Sequence, residues 1–252
     1  MDQFFAELRK IPPVTRFLCA SSLGVTIPVL MQLVSPYKVL FVRELVTKKF
    51  QIWRLYTSFF LGSGGIGYIF ELVMLYRTAD QLESGPYARR SGDFAWQLLL
   101  ANASIILACI PLGAYIFTRP LLLALTYLSS ALAPPGMQTS LMGLVTLPVK
   151  YLPYIMIALD FLMGGPAAAA QAVAGAVVGH FWWWAIWGTD GRRGALESLG
   201  RAPSWMRLLV ADGVDTPAAR GGGVHVVPPR QPAALTGSTT GHHWGSGQRL
   251  GN

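Results

Sequence analysis

Long apolar runs, parted by short polar or Pro/Gly-rich breaks, fill the first 190 residues of the chain. Six stand out, at roughly 14–34, 59–79, 95–117, 120–133, 151–163 and 167–188. None alternates apolar with polar positions, as the strands of a membrane barrel would. Runs of this kind are helices, because lipid offers no partner to a free backbone N–H or C=O. The pattern predicts an all-α membrane protein, a bundle of six crossing helices over residues 1–190, followed by a tail over 191–252.

Two stretches break that rhythm. Residues 35–58 are too many for a turn and too apolar for a solvated linker. Within them Val39, Val42, Val46, Lys49 and Trp53 recur at helical spacing, with Phe41, Leu45 and Phe50 beside them. Such a segment lies in the membrane interface with its aromatic rings at headgroup depth, or else packs on the bundle as an ordinary loop. In the tail, residues 204–210 form a short amphipathic turn suited to the membrane surface. Beyond it, Gly221-Gly222-Gly223, Pro228-Pro229 and Ser/Thr-rich sequence bury too little apolar area to fold and predict a disordered linker.

Composition strengthens the membrane reading. Hydrophobic residues are 52% and charged residues 13%, about half the charge a soluble domain carries. The net charge of +8 comes from basic residues flanking apolar runs. No basic stretch is interleaved with aromatics, so no nucleic-acid partner is expected. With the N-terminus cytosolic, fourteen of the 20 Lys and Arg residues fall on the cytosolic side. This predicts both termini in the cytosol and leaves the first loop basic yet translocated. Cys19 and Cys109 sit inside apolar runs and read as packing groups. Arg9, Lys10 and Arg16 precede the first run as in a signal peptide, but no small-x-small site follows, so it reads as a retained helix.

An apolar bundle with a long first loop invites comparison with intramembrane serine proteases. Those need a serine at a sharp turn and a histidine at the same depth to take its proton. Rhomboid proteases supply Gly-x-Ser-Gly at the start of the fourth span and a histidine early in the sixth. Here the fourth span opens Thr118-Arg119-Pro120-Leu121 without a serine. Leu61-Gly62-Ser63-Gly64 opens the second span instead, and His180 lies about 20 Å into the sixth at helical rise. No catalytic residue is expected. The match of residues 62–67 to G-x-G-x-x-G follows no strand and predicts no nucleotide site. The pair His242-His243 lacks further ligands, so neither metal nor cofactor is expected.

What remains at membrane depth is a set of polar groups: Glu71, Arg77, Asn102, Ser104, Asp160 and Gln171. A charge at the bilayer centre costs about 2.5–3.5 kcal/mol on insertion scales. Glu71, Asn102, Asp160 and Gln171 are therefore candidates for lining a hydrophilic cavity, against the plainer reading of hydrogen bonds between helices. Gly175 and Gly179 form a small-xxx-small pair that lets a neighbouring helix approach closely.

In chain order, several segments resemble the Derlin family, the rhomboid-like pseudoproteases. Ile11-Pro12-Pro13-Val14-Thr15-Arg16 is similar to the family's opening. Phe50-Gln51-Ile52-Trp53-Arg54 resembles its Trp-Arg first-loop motif, and Leu82-Glu83-Ser84-Gly85 its Leu-Glu-x-Gly. Tyr151-Leu152-Pro153 precedes the fifth span, and Gly175-x-x-x-Gly179-His180 resembles the sixth. In rhomboids the catalytic histidine stands three residues before that first glycine, where this chain has Ala172. At the C-terminus, residues 243–251 resemble the family's ATPase-binding peptide, with Trp244 and Leu250 as anchors and Gly245 and Gly247 keeping the backbone extended. Pro134-Pro135 and Glu71 depart from the family pattern.

The resemblance implies a non-catalytic role in endoplasmic-reticulum-associated degradation, aiding retrotranslocation of misfolded proteins. Its implied partners are the AAA ATPase valosin-containing protein (Cdc48-type), a membrane ubiquitin ligase complex of the Hrd type, misfolded substrates and a homo- or hetero-oligomeric copy. Spans four and five, at about 20 Å of uninterrupted apolar helix, fall short of a hydrocarbon core of about 30 Å. They are expected to thin the bilayer locally. Trp53 and Arg54 are expected to anchor the first loop, Arg54 pairing a phosphate or an acidic neighbour. An active intramembrane protease and a small-solute transporter are the alternative functions.

Overall fold

The computed structural model describes residues 11–134, 136–141, 145–188, 194 and 196–210, all within one compact unit, Met1–Val214. The expected linker and the candidate ATPase-binding residues Trp244, Gly245, Gly247 and Leu250 lie outside the described residues.

Helix α1 (Pro13–Leu30) begins on a proline, whose missing N–H costs nothing in a first turn. The first loop follows as α2 (Arg43–Lys49) and α3 (Trp53–Phe60). The segment whose apolar residues recur at helical spacing from Val39 to Trp53 is divided at Phe50, which takes the left-handed conformation (φ 51°). Helix α4 (Ile66–Ser84) starts later than the expected second span. The run from 59 is broken at Gly62–Gly65, where a Cβ on Gly62 would strike the Tyr68 ring and Glu71 and Gly65 holds φ 65°. Helix α5 spans Ser91–Cys109 and α6 spans Thr118–Leu132. Between α6 and the next helix runs a small antiparallel hairpin, β1 (Gln138–Leu141) with β2 (Val145–Pro148), pairing Gln138 with Pro148 and Leu141 with Val145. It is a departure from the expected all-α pattern, set between Pro134 and Pro153, where helix is disfavoured.

Helix α7 (Leu152–Trp182) is not one rod. Gly165 adopts φ 72°, ψ −169° and Pro166 follows it. Asp160 on one side and Gly175 on the other both reach residues 119–120. Fifteen residues of straight helix would separate them by about 22 Å, so the chain turns back at Gly165 and its halves run antiparallel. A π-helical turn, Trp183–Trp187, ends the element at Gly188 (φ 68°). Helix α8 (Ser204–Val210) comes last among the described residues.

Three of these elements are long and apolar enough to cross a membrane by length and composition: Pro13–Leu30, Ser91–Cys109 and the stretch Val149–Trp187. The protein is a multi-pass membrane protein. Its core is centred on α6, where Leu121, Leu122, Leu123, Leu125 and Leu128 are almost wholly buried. Lipid is as apolar as leucine, so what holds such a core is close packing and interhelical hydrogen bonds. Gly175 and Gly179 supply the packing. A Cβ on Gly175 would lie 2.6 Å from Pro120 Cα, and one on Gly179 3.0 Å from Ala124 Cα. The second half of α7 thus runs backbone against backbone along α6. We call the end bearing Pro13, Ser84 and Ser91 proximal and the opposite end distal.

Candidate functional site

At the distal end, three charged side chains meet. Glu71 projects from α4, Arg119 from the first turn of α6, and Asp160 from the first half of α7. Arg119 Nε lies 2.7 Å from Glu71 Oε1, and Nη1 lies 2.5 Å from Asp160 Oδ1. Both carboxylates are buried, whereas the arginine keeps 36% of its side chain exposed. Glu71 Oε2 accepts the backbone N–H of Ser63 at 2.8 Å. Asp160 Oδ2 and Ser63 Oγ are buried without a hydrogen-bond partner among the described residues. One positive and two negative charges leave this cluster a formal charge of −1 in a place where uncompensated charge is expensive.

The cluster unites two of the four candidate cavity residues. Asn102 lies on α5 with a buried Oδ1 that has no partner among the described residues, and Gln171 lies half-buried on α7; neither joins the ion cluster. Arg119 was the missing member, for the sequence shows it only as a basic residue flanking a span. Its signal was charge balance: two acids in separate spans need a cation, and Arg119 is embedded next to Pro120.

The first-loop motif is built differently from expectation. Arg54 is 4% exposed and donates to Tyr37 O at 2.6 Å, Leu40 O at 2.8 Å and Gln51 Oε1 at 2.6 Å. Its guanidinium also lies over the Tyr37 ring, 5.4 Å from the centroid. The anticipated phosphate or acidic partner is replaced by two carbonyls and an amide. The reason is local: the 3₁₀ turn Pro36–Lys38 leaves carbonyls facing inward, and the arginine satisfies them. Trp53 remains exposed.

The proximal end carries a second polar centre that sequence reading passed over. Glu83, buried at the end of α4, accepts Val14 N (3.0 Å), Thr15 N (2.7 Å) and Thr15 Oγ1 (2.8 Å). It caps the free N–H groups opening α1, and its charge matches the positive end of the helix dipole. The motif Leu82-Glu83-Ser84-Gly85 was its visible trace. Beside it, Gln97 on α5 accepts from Tyr87 Oη and from Trp182 Nε1 (2.9 Å) and donates to Gly200 O (2.8 Å). Trp187 Nε1 donates to Tyr87 Oη at 3.2 Å. Burial pushes the Tyr87 phenol well above its ordinary pKa, so it keeps the proton this network needs.

The residues considered for protease chemistry stay apart. Ser63 belongs to the distal loop before α4, whereas His180 is exposed near the proximal end, its Nδ1 2.8 Å from Tyr127 Oη. Ala172, three residues before Gly175, is fully buried. Among the described residues, no three His, Cys, Asp or Glu side chains gather to hold a metal ion.

Comparison with known proteins finds a family and several relatives of similar sequence. The sequence model of the Der1-like family matches residues 11–188. Derlin-1 of Arabidopsis thaliana is 34% identical over 214 residues, covering 80% of this chain and 75% of the relative. Derlin-1 of Oryza sativa subsp. japonica is 35% identical over 173 residues, covering 68% and 70%. Derlin-1 of Homo sapiens is 27% identical over 252 residues, covering 97% of this chain and 96% of its own. With a multi-helix membrane domain matched almost throughout, the chain belongs to the Der1-like family of Derlins.

Proposed function

We propose that the protein is a non-catalytic component of endoplasmic-reticulum-associated degradation that eases misfolded polypeptides across the membrane toward a cytosolic ATPase. In this reading it resides in the endoplasmic reticulum with six crossings and both termini cytosolic. Membership of the Der1-like family is the observation that carries the proposal. The reversal at Gly165 supports the six-crossing count, since it divides the longest apolar stretch into two antiparallel halves. The distance between Ser63 and His180 along the bundle speaks against a serine protease. The pairing of Glu71 and Asp160 with one arginine speaks against free carboxylates on a solute path.

Of the two short spans expected to thin the bilayer, the fifth, which is the first half of α7, is the one that carries the mechanism. Helix α6 is short, at 15 residues, but it is enclosed by its neighbours, so its length is not matched to lipid. The first half of α7, in contrast to α6, turns large apolar side chains outward. Tyr154, Phe161, Leu162 and Met163 are exposed along it, and from Leu152 to Gly164 it rises about 20 Å against a core of about 30 Å. A short lipid-facing helix draws the bilayer inward around it. Recruitment of valosin-containing protein falls to residues 243–251, and a Hrd-type ubiquitin ligase would work alongside.

Affinity capture from detergent-solubilised membranes tests this reading. The intact chain should bring down the ATPase and a membrane ubiquitin ligase. The double substitution Trp244→Ala, Leu250→Ala should lose the ATPase while membrane insertion persists. Capture of neither partner by the intact chain would refute the proposal.

A further inference from the structure

The chain leaving the bundle is tied down by specific polar contacts. Trp96 Nε1 donates to Leu199 O at 2.8 Å, Gln97 Nε2 to Gly200 O at 2.8 Å, and Ala202 N to Asp93 Oδ1 at 2.7 Å. All three anchoring side chains belong to the first two turns of α5. They deliver α8 alongside the start of that helix, where Met206 is buried and Trp205 meets Trp96 edge-on, with centroids 6.1 Å apart. Among the described residues, nothing covers the other side of α8. Leu208 is 83% and Leu209 77% exposed, and Leu196, Leu199 and Trp205 are exposed with them.

Two observations identify what covers this surface. First, α5 is one of the three elements long and apolar enough to cross a membrane. Its exposed leucines, Leu99 and Leu100, begin within one turn of Trp96, so α8 lies at the level where α5 enters the bilayer. Second, the leucines are bordered by arginines. Arg201 and Arg207 are more than half exposed; their pairings with Glu197 (3.5 Å) and Asp93 (3.6 Å) are long and of the surface kind that contributes little. Exposed Arg89 and Arg90 lie at the same end. Apolar side chains bordered by guanidinium groups at this depth match a layer of lipid phosphates over acyl chains.

We propose that residues 196–210 are an interfacial anchor. Leu208 and Leu209 enter the boundary of the acyl chains, and Arg201 and Arg207 hold lipid phosphates, with a preference for anionic headgroups. The anchor depends on the membrane-crossing fold and is independent of the proposed role in degradation.

The test uses the full chain reconstituted into phosphatidylcholine vesicles with and without phosphatidylserine. Leu208→Cys and, separately, Leu209→Cys are labelled with the polarity-sensitive dye NBD, the parent chain setting the background from Cys19 and Cys109. Both positions should show apolar emission and quenching by lipids brominated near the glycerol end, about twofold stronger than by lipids brominated near the chain terminus, as expected for a depth of about 5–10 Å. Phosphatidylserine should increase the quenching, and Arg201→Gln with Arg207→Gln should remove that increase. Water-like emission at both positions would overturn the anchor. So would apolar emission without bromolipid quenching, which would mean that protein covers the face. Quenching indifferent to phosphatidylserine would overturn the role given to the arginines.

Discussion

Arg119 donates to carboxylates on two different helices, so removing it strands Glu71 and Asp160 together without a counter-charge. Breaking a buried pair this way costs about 3–5 kcal/mol, and the exposed third of Arg119 places the expectation near the lower figure. Arg119→Leu should therefore lower the thermal midpoint in detergent by an amount corresponding to about 3 kcal/mol. Adding Glu71→Gln and Asp160→Asn to that variant should restore much of it. A single substitution without effect on the midpoint would mean that the pairs are solvated. At this scale the sequence was legible in part. Glu71 and Asp160 stood out because a charge within an apolar run has to be explained. Their partner hid at the edge of a span, where arginines are ordinary. Arg54 was visible through its Trp-Arg motif, yet no pattern of residue types could indicate that its acceptors are the carbonyls of Tyr37 and Leu40.

Among elements, α6 and the second half of α7 run in close backbone contact, because Gly175 and Gly179 allow it. Gly175→Leu would drive a side chain into the Pro120 backbone, which cannot move aside as a flexible side chain could. The expected outcome is loss of the folded monomer in detergent, read by size-exclusion chromatography and limited proteolysis, whereas Gly24→Leu, where a Cβ meets nothing within 4 Å, should leave both unchanged. Apolar runs announced most helices within a few residues, since length and hydropathy alone decide what lipid will accept. Their interruptions were harder to read. The split of the first loop at Phe50 and the late start of α4 depend on left-handed residues and on steric conflicts at Gly62, which are properties of the folded chain. The hairpin β1–β2 is too short to leave a periodic signature.

For the molecule as a whole, the first half of α7 faces lipid on one side and meets the bundle through a narrow stripe of Leu152, Met156 and Asp160. Four leucines inserted between Leu162 and Met163 would lengthen it by about 6 Å beyond the Asp160–Arg119 contact. Extraction of a misfolded membrane substrate should then slow severalfold while ATPase capture stays normal; unchanged extraction at normal protein levels would sink the thinning mechanism. The Glu83 cap bears on how such a molecule is made. The carboxylate that closes the opening turn of α1 stands 69 residues further along the chain than Val14. At about 5–20 residues per second, a ribosome needs several seconds to supply it. During that interval the first helix sits in the membrane with its leading amides open to headgroups and water. Its final seating waits on the arrival of the end of α4, so a chain stalled before Glu83 is itself an incompletely folded membrane segment of the kind cells must remove.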